Sequence, residues 1–138
     1  MKGALILPIV GCQVNLPCIV VRKQQKNYGI IGRTIGAPVS KSVRILFFDD
    51  VISEGLPTIE GAKPLEEFGA KVSHMMVVVD REQGGREKLE KLGYKIEALA
   101  KISDLVNNLF KNSKIAENQA NAVLKYIRNW KPNSQRTT

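Results

Sequence analysis

The segment VRILFFDDVISEGLPTIEGA, residues 43–62, decides the fold class of this chain. A run of mostly apolar residues leads to the adjacent carboxylates Asp49 and Asp50, and a short polar loop at residues 53–55 then leads to Pro57. Proline is tolerated in the first turn of a helix, so the segment predicts a strand, a turn and a helix. This arrangement commonly places a ligand at the edge of an α/β sheet, where acids can hold ribose hydroxyls or hydrated Mg²⁺ and loop amides can hold a phosphate. An ordinary turn with two solvated carboxylates explains the same residues.

Composition points to one domain with anionic partners. The 138 residues are 43% hydrophobic, enough for a single core, and we expect one domain over residues 1–131 and a flexible tail at 132–138. The formal net charge of +8 favours phosphorylated metabolites or nucleic acid as partners. Nucleic acid is the weaker expectation, because the charges are dispersed along the chain and are not concentrated on one element.

The cysteines and the N-terminal segment predict a cytoplasmic protein. Cys12, Cys18 and the single histidine, His74, lack the spacing of a zinc site. Both cysteines lie in apolar sequence, which favours buried thiols over a disulfide. Pro8 and Gly11 interrupt the apolar N-terminal run, and no segment has the length of a membrane span. We therefore expect this run to belong to the core, with no membrane contact.

Hydrophobic periodicity predicts alternating strands and helices. We predict a buried strand or helix at 4–10 and a fully buried strand at 18–22. Further strands are predicted at 43–48, 71–79 and 94–98. Helices are predicted at 57–68, at 84–92 and at 116–130, and another begins after Ser103, which is its predicted N-cap. The glycine-rich basic segment at 23–41 is interpreted as a mobile flap over a ligand. Such alternation favours an α/β fold with three layers, in which a mostly parallel sheet carries helices on both faces.

Three motifs together resemble orotate phosphoribosyltransferases, a branch of the type I phosphoribosyltransferases. VVRKQQKNYG at residues 20–29 is similar to the start of the family's catalytic loop, and FFDDVISEG at 47–55 is similar to its loop for phosphoribosyl pyrophosphate. The most specific motif is DREQGG at 80–85, followed by an amphipathic helix and the sequence ISDL. The resemblance covers residues 15–130, and it implies the type I phosphoribosyltransferase core and a homodimer.

The resemblance also implies a reaction and part of its site. Orotate and phosphoribosyl pyrophosphate would give orotidine 5′-monophosphate and pyrophosphate, with Mg²⁺ bound alongside the phosphoribosyl pyrophosphate. Arg22, Lys23 and Lys26 would face the pyrophosphate, whose developing charge positioned cations stabilise. Asp49 and Asp50 would face the ribose. Lys26 and the two aspartates are the candidate catalytic residues, although a solvated basic loop also explains the cations.

Further substrate-binding residues follow from the same resemblance. Ser53 and Gly55 belong to the phosphate loop, and Thr58 is a candidate for a replacement hydroxyl. Arg81 would meet the orotate carboxylate, a task suited to a planar guanidinium. A salt bridge from Arg81 to Asp80 or Glu82 is the alternative explanation of that arginine.

Two features depart from the family. Where relatives have a run like TTGGS, this chain has SEGLP at 53–57, so Glu54 brings a carboxylate towards the phosphate and Pro57 removes an N–H. Like charges at this spacing cost about 1 to 4 kcal/mol. The chain also begins almost directly with the helix before Cys18, without the family's N-terminal hood over the base. We therefore expect weak or no activity of the chain alone. The alternative is a non-catalytic relative that binds a nucleotide or regulates through RNA or a protein partner.

Overall fold

The computed structural model describes residues 3–22 and 34–130, which form an α/β fold. In chain order the elements are α1 (Gly3–Gln13), β1 (Ile19–Val21), β2 (Thr34–Gly36), β3 (Arg44–Ile52), α2 (Leu56–Glu67), β4 (Lys71–Asp80), α3 (Gly85–Lys91), β5 (Lys95–Lys101), α4 (Ile102–Lys111) and α5 (Glu117–Asn129). None of the helices in these ranges is long and apolar enough to cross a membrane.

The sheet is parallel, as predicted. Strands β3, β4 and β5 lie side by side in that order, and both neighbouring pairs run parallel. Strands β1 and β2 form a separate antiparallel ribbon in which Ile19 pairs with Gly36. The predicted α/β class with a mostly parallel sheet is therefore confirmed.

The core lies between the sheet and the helices that follow its strands. Its buried members are Ile52, Ala62, Leu65, Ala70, Val72, Met75, Val77, Leu89 and Ile96. Helix α2 continues through Gly61 and Pro64, where the sequence predicts a weak helix. A Cβ on Gly61 would lie 2.8 Å from Cζ of Phe47, so the glycine makes room for an aromatic ring of β3. Packing on the sheet therefore outweighs the poor helix propensity of this segment.

Strand β3 is longer than predicted. It continues to Ile52, so Asp49 and Asp50 lie within the strand and not after its end. The extension follows from pairing, because Asp49 is in register with Val77 and Ile52 with Asp80 on β4. The two aspartates consequently have backbones that the sheet holds in place.

The predicted flap contains a strand that the sequence did not reveal. Residues 34–36 form β2, which pairs with β1. This pairing provides hydrogen-bond partners for backbone groups of both strands. Residues 23–33 of the predicted flap lie outside the described residues, and Lys23 and Lys26 are among them.

The N-terminal segment is helical but not buried, so its assignment to the core is wrong. Leu5 is 77% exposed and Ile9 is 64% exposed on α1, because few elements pack against this helix. Cys12 is exposed as well, which corrects the expectation of two buried thiols, while Cys18 is partly buried and both cysteines are free. Strand β1 is only partly buried along its length, not fully buried as predicted.

Candidate functional site

The candidate site is formed by two loops at the carboxyl ends of β3 and β4. Parallel neighbouring strands bring these ends to the same edge of the sheet, where α/β proteins commonly bind ligands. The first loop, residues 53–55, leads into α2, and the second, residues 81–84, leads into α3. The N–H of Arg81 donates to the carbonyl oxygen of Ile52 at 2.9 Å, and the N–H of Gly85 donates to that of Ser53 at 2.8 Å. The two loops are therefore joined through their backbones.

The contact between the loops requires glycine on both sides. A Cβ on Gly85 would collide with the carbonyl oxygen of Ser53 and would lie 2.7 Å from the nitrogen of Gly55. Gly55 has φ +79°, in the left-handed region that glycine adopts without a steric penalty. A Cβ there would lie 3.0 Å from the carbonyl oxygen of Gly85. Any larger residue at position 85 would push the loops apart.

Asp49 and Asp50 form an adjacent, partly buried pair of carboxyl groups. The backbone N–H of Asp50 donates to Oδ1 of Asp49 at 2.9 Å. Burial, and then the neighbouring Asp50 carboxyl, raise the pKa of the Asp49 carboxyl above that of a free aspartate. The pair therefore offers carboxyl oxygens that accept hydrogen bonds. A cation or a hydroxyl donor beside Asp49 would stabilise the charged form of its carboxyl group.

Two polar residues at the end of β4 and in the second loop, Asp80 and Gln83, have side chains that bond to the protein itself. Asp80 is only 3% exposed, and its Oδ1 accepts a hydrogen bond from the N–H of Glu82 at 2.8 Å. Gln83 is 6% exposed, and its Nε2 donates to the hydroxyl of Tyr126 at 3.4 Å. Their inward contacts fix the course of the loop at the end of β4.

Glu82 caps helix α4, which corrects the prediction that Ser103 does so. Oε2 of Glu82 accepts a hydrogen bond from the backbone N–H of Ser103 at 2.8 Å. The N-cap position is Lys101, which makes no side-chain cap bond. Helix α4 begins directly after β5, so its first N–H groups find an acceptor from another loop and not from the local sequence.

Arg81 differs from its neighbours because its side chain is exposed and has no ion pair within the described ranges. The ion pairs found there are Lys63 with Glu67 and Arg86 with Glu90. The alternative of a salt bridge from Arg81 to Asp80 or Glu82 is therefore wrong. Asp80 is turned inwards, and Glu82 bonds to α4.

The remaining predicted site residues lie in different surroundings. Glu54 is exposed, Ser53 is partly buried and Gly55 is buried. Thr58 is only 2% exposed, so its hydroxyl is not presented to solvent. Arg22 is exposed directly after β1, and Lys23 and Lys26, which follow it, are outside the described residues.

At this edge of the sheet, Mg²⁺ would have to be coordinated jointly by the protein and by a bound ligand. No group of three or more histidine, cysteine, aspartate or glutamate side chains in residues 3–22 and 34–130 could hold a metal ion. Mg²⁺ is commonly bound by one or two carboxylates together with phosphates and waters. The pair Asp49 and Asp50 fits that mode better than a cage made of protein ligands alone.

The sequence singled out Arg81 but gave no indication of the long-range contacts made by the two residues after it. Glu82 contacts a residue 21 positions away, and Gln83 contacts one 43 positions away. No local pattern reports such distant partners. The available signal was an unusually polar run, DREQ, directly after a strand of largely apolar residues.

Comparison with solved structures identifies the class. The fold is that of type I phosphoribosyltransferases, and similar structures include the orotate and adenine enzymes. The UMP synthase of Leishmania donovani matches with a TM-score of 0.78 and 27% identity over 89% of this chain and 26% of that one. No protein-family model matches the chain.

The curated relatives that the chain resembles include orotate phosphoribosyltransferases. The orotate phosphoribosyltransferase of Saccharolobus solfataricus is 32% identical over 125 residues, which is 91% of this chain and 63% of the relative. That of Pyrococcus horikoshii is 38% identical over 115 residues, 83% of this chain and 59% of the relative. The chain is homologous to the orotate phosphoribosyltransferases, as its motifs predict, and it spans about six-tenths of the length of these relatives.

Proposed function

We propose that the chain is an orotate phosphoribosyltransferase-like protein of pyrimidine nucleotide biosynthesis. It binds phosphoribosyl pyrophosphate and orotate, or their product orotidine 5′-monophosphate, where the loops after β3 and β4 meet. Its own turnover is weak or absent. Homology to enzymes of this name supports the substrate class.

The observation that carries the proposal is the exposed side chain of Arg81, which has no ion pair within residues 3–22 and 34–130. Its backbone is tied to Ile52, while the acidic neighbours Asp80 and Glu82 are engaged elsewhere. A planar guanidinium that lacks an internal carboxylate partner suits a bidentate bond to a ligand carboxylate. Orotate carries such a carboxylate, whereas uracil does not.

The second half of the proposed site concerns the phosphoribosyl group. Asp49 and Asp50 would accept hydrogen bonds from the ribose hydroxyls, and Mg²⁺ would arrive with the pyrophosphate and supply charge neutralisation there. Arg22, together with Lys23 and Lys26, would add positive charge around the pyrophosphate. A homodimer would allow these cations to act across the subunit boundary.

The phosphate loop limits the activity. Glu54 is exposed at the turn where a 5′-phosphate would bind, and its negative charge opposes that ligand. Pro57 lies in the first turn of α2 and offers no N–H. The burial of Thr58 speaks against a replacement hydroxyl from that residue. Ser53 and the backbone of Gly55 remain as the loop's contribution.

These same departures support a second candidate function, a non-catalytic relative that binds a nucleotide or regulates through a partner. The net charge of +8 makes RNA one such partner. A gel shift with RNA whose affinity falls steeply with salt would favour this candidate. Measurable turnover of orotate would contradict it.

Calorimetric titration tests the proposal. Phosphoribosyl pyrophosphate with Mg²⁺, orotate and orotidine 5′-monophosphate are each titrated into the wild-type chain, alongside a turnover assay. Arg81→Ala should weaken binding of the two carboxylate ligands by about tenfold or more, because a charge-assisted hydrogen bond is lost. Binding of phosphoribosyl pyrophosphate should stay unchanged.

Arg44→Ala is the matched control, since Arg44 is an exposed arginine at the opposite end of β3. It should affect none of the ligands. The assignment of Arg81 fails if Arg81→Ala and Arg44→Ala behave alike. Turnover at ordinary enzymatic rates, about 1 s⁻¹ or faster, would overturn the expectation of weak activity.

A further inference from the structure

Glu82 connects the loop of Arg81 to a helix that lies outside the proposed site. Its backbone N–H donates to the buried Asp80, and its carboxylate accepts the N–H of Ser103 at the start of α4. Its φ of +55° is in the left-handed region, which residues other than glycine rarely adopt. Such a conformation persists only where the surroundings hold it, and both ends of Glu82 are held here.

We propose that Glu82 is a positioning residue for Arg81 and thereby for recognition of the carboxylate of the base. This inference rests on the proposed function. Arg81 precedes Glu82 directly, and its own N–H is tied to Ile52. The backbone of Arg81 is thus fixed on one side by β3 and on the other by the bond from Glu82 to α4. Without the second tie, the guanidinium would sample directions that do not meet the ligand.

The tie is strong because it joins a carboxylate to a helix N-terminus. The first N–H groups of a helix have no partner within the helix, and the aligned peptide dipoles favour negative charge there. The N-cap residue Lys101 supplies no side-chain acceptor. Glu82 therefore provides both the missing acceptor and the favourable charge.

Helix α5 supports the same loop from a second direction. The hydroxyl of Tyr126 accepts the hydrogen bond from Gln83. The two C-terminal helices consequently hold successive residues of the loop, and Glu82 makes the charged bond among these contacts.

Three variants test the role of Glu82. Glu82→Ala removes the acceptor, Glu82→Gln keeps an acceptor oxygen without the charge, and Glu97→Ala removes an exposed glutamate of β5 as the matched control. Amide hydrogen exchange measured by NMR on Ser103 and residues 81–84 reports the tie without any ligand. Glu82→Ala should raise exchange at these amides, Glu82→Gln should largely restore protection, and Glu97→Ala should leave it unchanged.

The ligand measurement separates positioning from general damage. In Glu82→Ala, affinity for orotate and orotidine 5′-monophosphate should fall by about tenfold, since misplacing a binding group is costly even when it is retained. Affinity for phosphoribosyl pyrophosphate should stay within about twofold, because the proposed site pairs Arg81 with the carboxylate of the base and not with the phosphoribosyl group. The proposal is overturned if both affinities fall equally, or if exchange and orotate affinity stay at wild-type values.

Failure of the proposed function can be recognised separately. If the wild-type chain binds neither orotate nor orotidine 5′-monophosphate, the assignment of the ligand is wrong. The exchange data then decide alone whether Glu82 orders the backbone of residue 81. Unchanged exchange in Glu82→Ala would refute that structural role as well.

Discussion

The backbone N–H of Gly85 donates a 2.8 Å hydrogen bond to the carbonyl oxygen of Ser53, and this bond joins the two loops of the candidate site. Ser53 follows β3, while Gly85 begins α3. The close approach leaves no space for a Cβ on Gly85. The loop proposed to bind the phosphoribosyl group and the loop that carries Arg81 are thus parts of one backbone unit.

Gly85→Ala should separate these loops. The added methyl group would collide with backbone atoms of Ser53 and Gly55, which cannot rotate away as a side chain can. We expect a loss of about 1 to 3 kcal/mol in the free energy of unfolding, measured with denaturant, as for overpacked sites. Binding of orotidine 5′-monophosphate should weaken in the same variant.

Gly93→Ala is the control for that substitution. Gly93 follows the same helix and has a positive φ of +93°, but nothing lies within 4 Å of its Cβ position. It should lose stability through backbone strain, by roughly 1 kcal/mol, with ligand affinity retained. Equal loss of affinity in both variants would contradict the role given to the loop contact.

Asp49→Asn should stabilise the chain at neutral pH. The pKa of Asp49 is raised in the folded state, so this state binds more protons than the unfolded one, and stability falls as pH rises from about 4 through the raised pKa. Asparagine keeps an acceptor for the N–H of Asp50 but carries no charge. The melting temperature of the Asp49→Asn variant should exceed that of wild type at pH 7, and the difference should disappear below about pH 4.

The same variant should bind phosphoribosyl pyrophosphate with Mg²⁺ more weakly, because a carboxylate of the proposed ribose site is lost. Calorimetry on wild type and Asp49→Asn measures both the melting temperature and the affinity for this ligand. A melting temperature at pH 7 equal to or below that of wild type would show that the charge on Asp49 carries no cost in the folded state.

Tyr94→Phe should weaken the contact between α2 and the residue directly before β5. The hydroxyl of Tyr94 lies 2.8 and 3.0 Å from the two carboxylate oxygens of Glu66. Loss of this bond should cost about 1 kcal/mol, reduced from the value of a fully buried charged bond by partial exposure. Phenylalanine retains the ring that packs against the core.

The pH dependence of Tyr94→Phe has a defined sign. Burial, and then the bond to Glu66, raise the pKa of Tyr94 to about 12. The stability from this group is present below pH 10, the usual tyrosine pKa, and is lost as pH rises towards 12. Wild type should therefore lose more stability than Tyr94→Phe across this interval in denaturant titrations. Parallel curves would exclude the contribution of the hydroxyl.

Glu54→Thr combined with Pro57→Ser should strengthen binding of phosphoribosyl pyrophosphate. The change removes an exposed negative charge and restores a backbone N–H in the first turn of α2. An improvement of about tenfold is expected, given the modest energy of surface charges. Glu60→Thr, at an exposed site on the same helix, is the control for charge alone. If affinity rises equally in both, general electrostatics and not the loop explains the effect.

Much of this fold was predictable because its signals are local. Apolar runs of the right length, glycines at positive φ such as Gly55, and polar residues at strand ends report strands, turns and helices without knowledge of their partners. The extension of β3 through Asp49 was not predictable, because pairing with β4 holds acidic residues that have low strand propensity. The exposure of α1 was also not predictable, because an apolar sequence does not show whether another element packs against it.

The sequence by itself determined the α/β class, the homology to orotate phosphoribosyltransferases and the presence of Asp49, Asp50 and Arg81 in the relevant motifs. Only the tertiary structure decided which polar side chains are engaged internally and which face solvent. Asp80 and Glu82 turn out to stabilise the loop, and Arg81 is left exposed between them. The physical reason is that Ser103, like Ile52, lies far from Arg81 in the chain, and only folding brings these backbone groups to the loop.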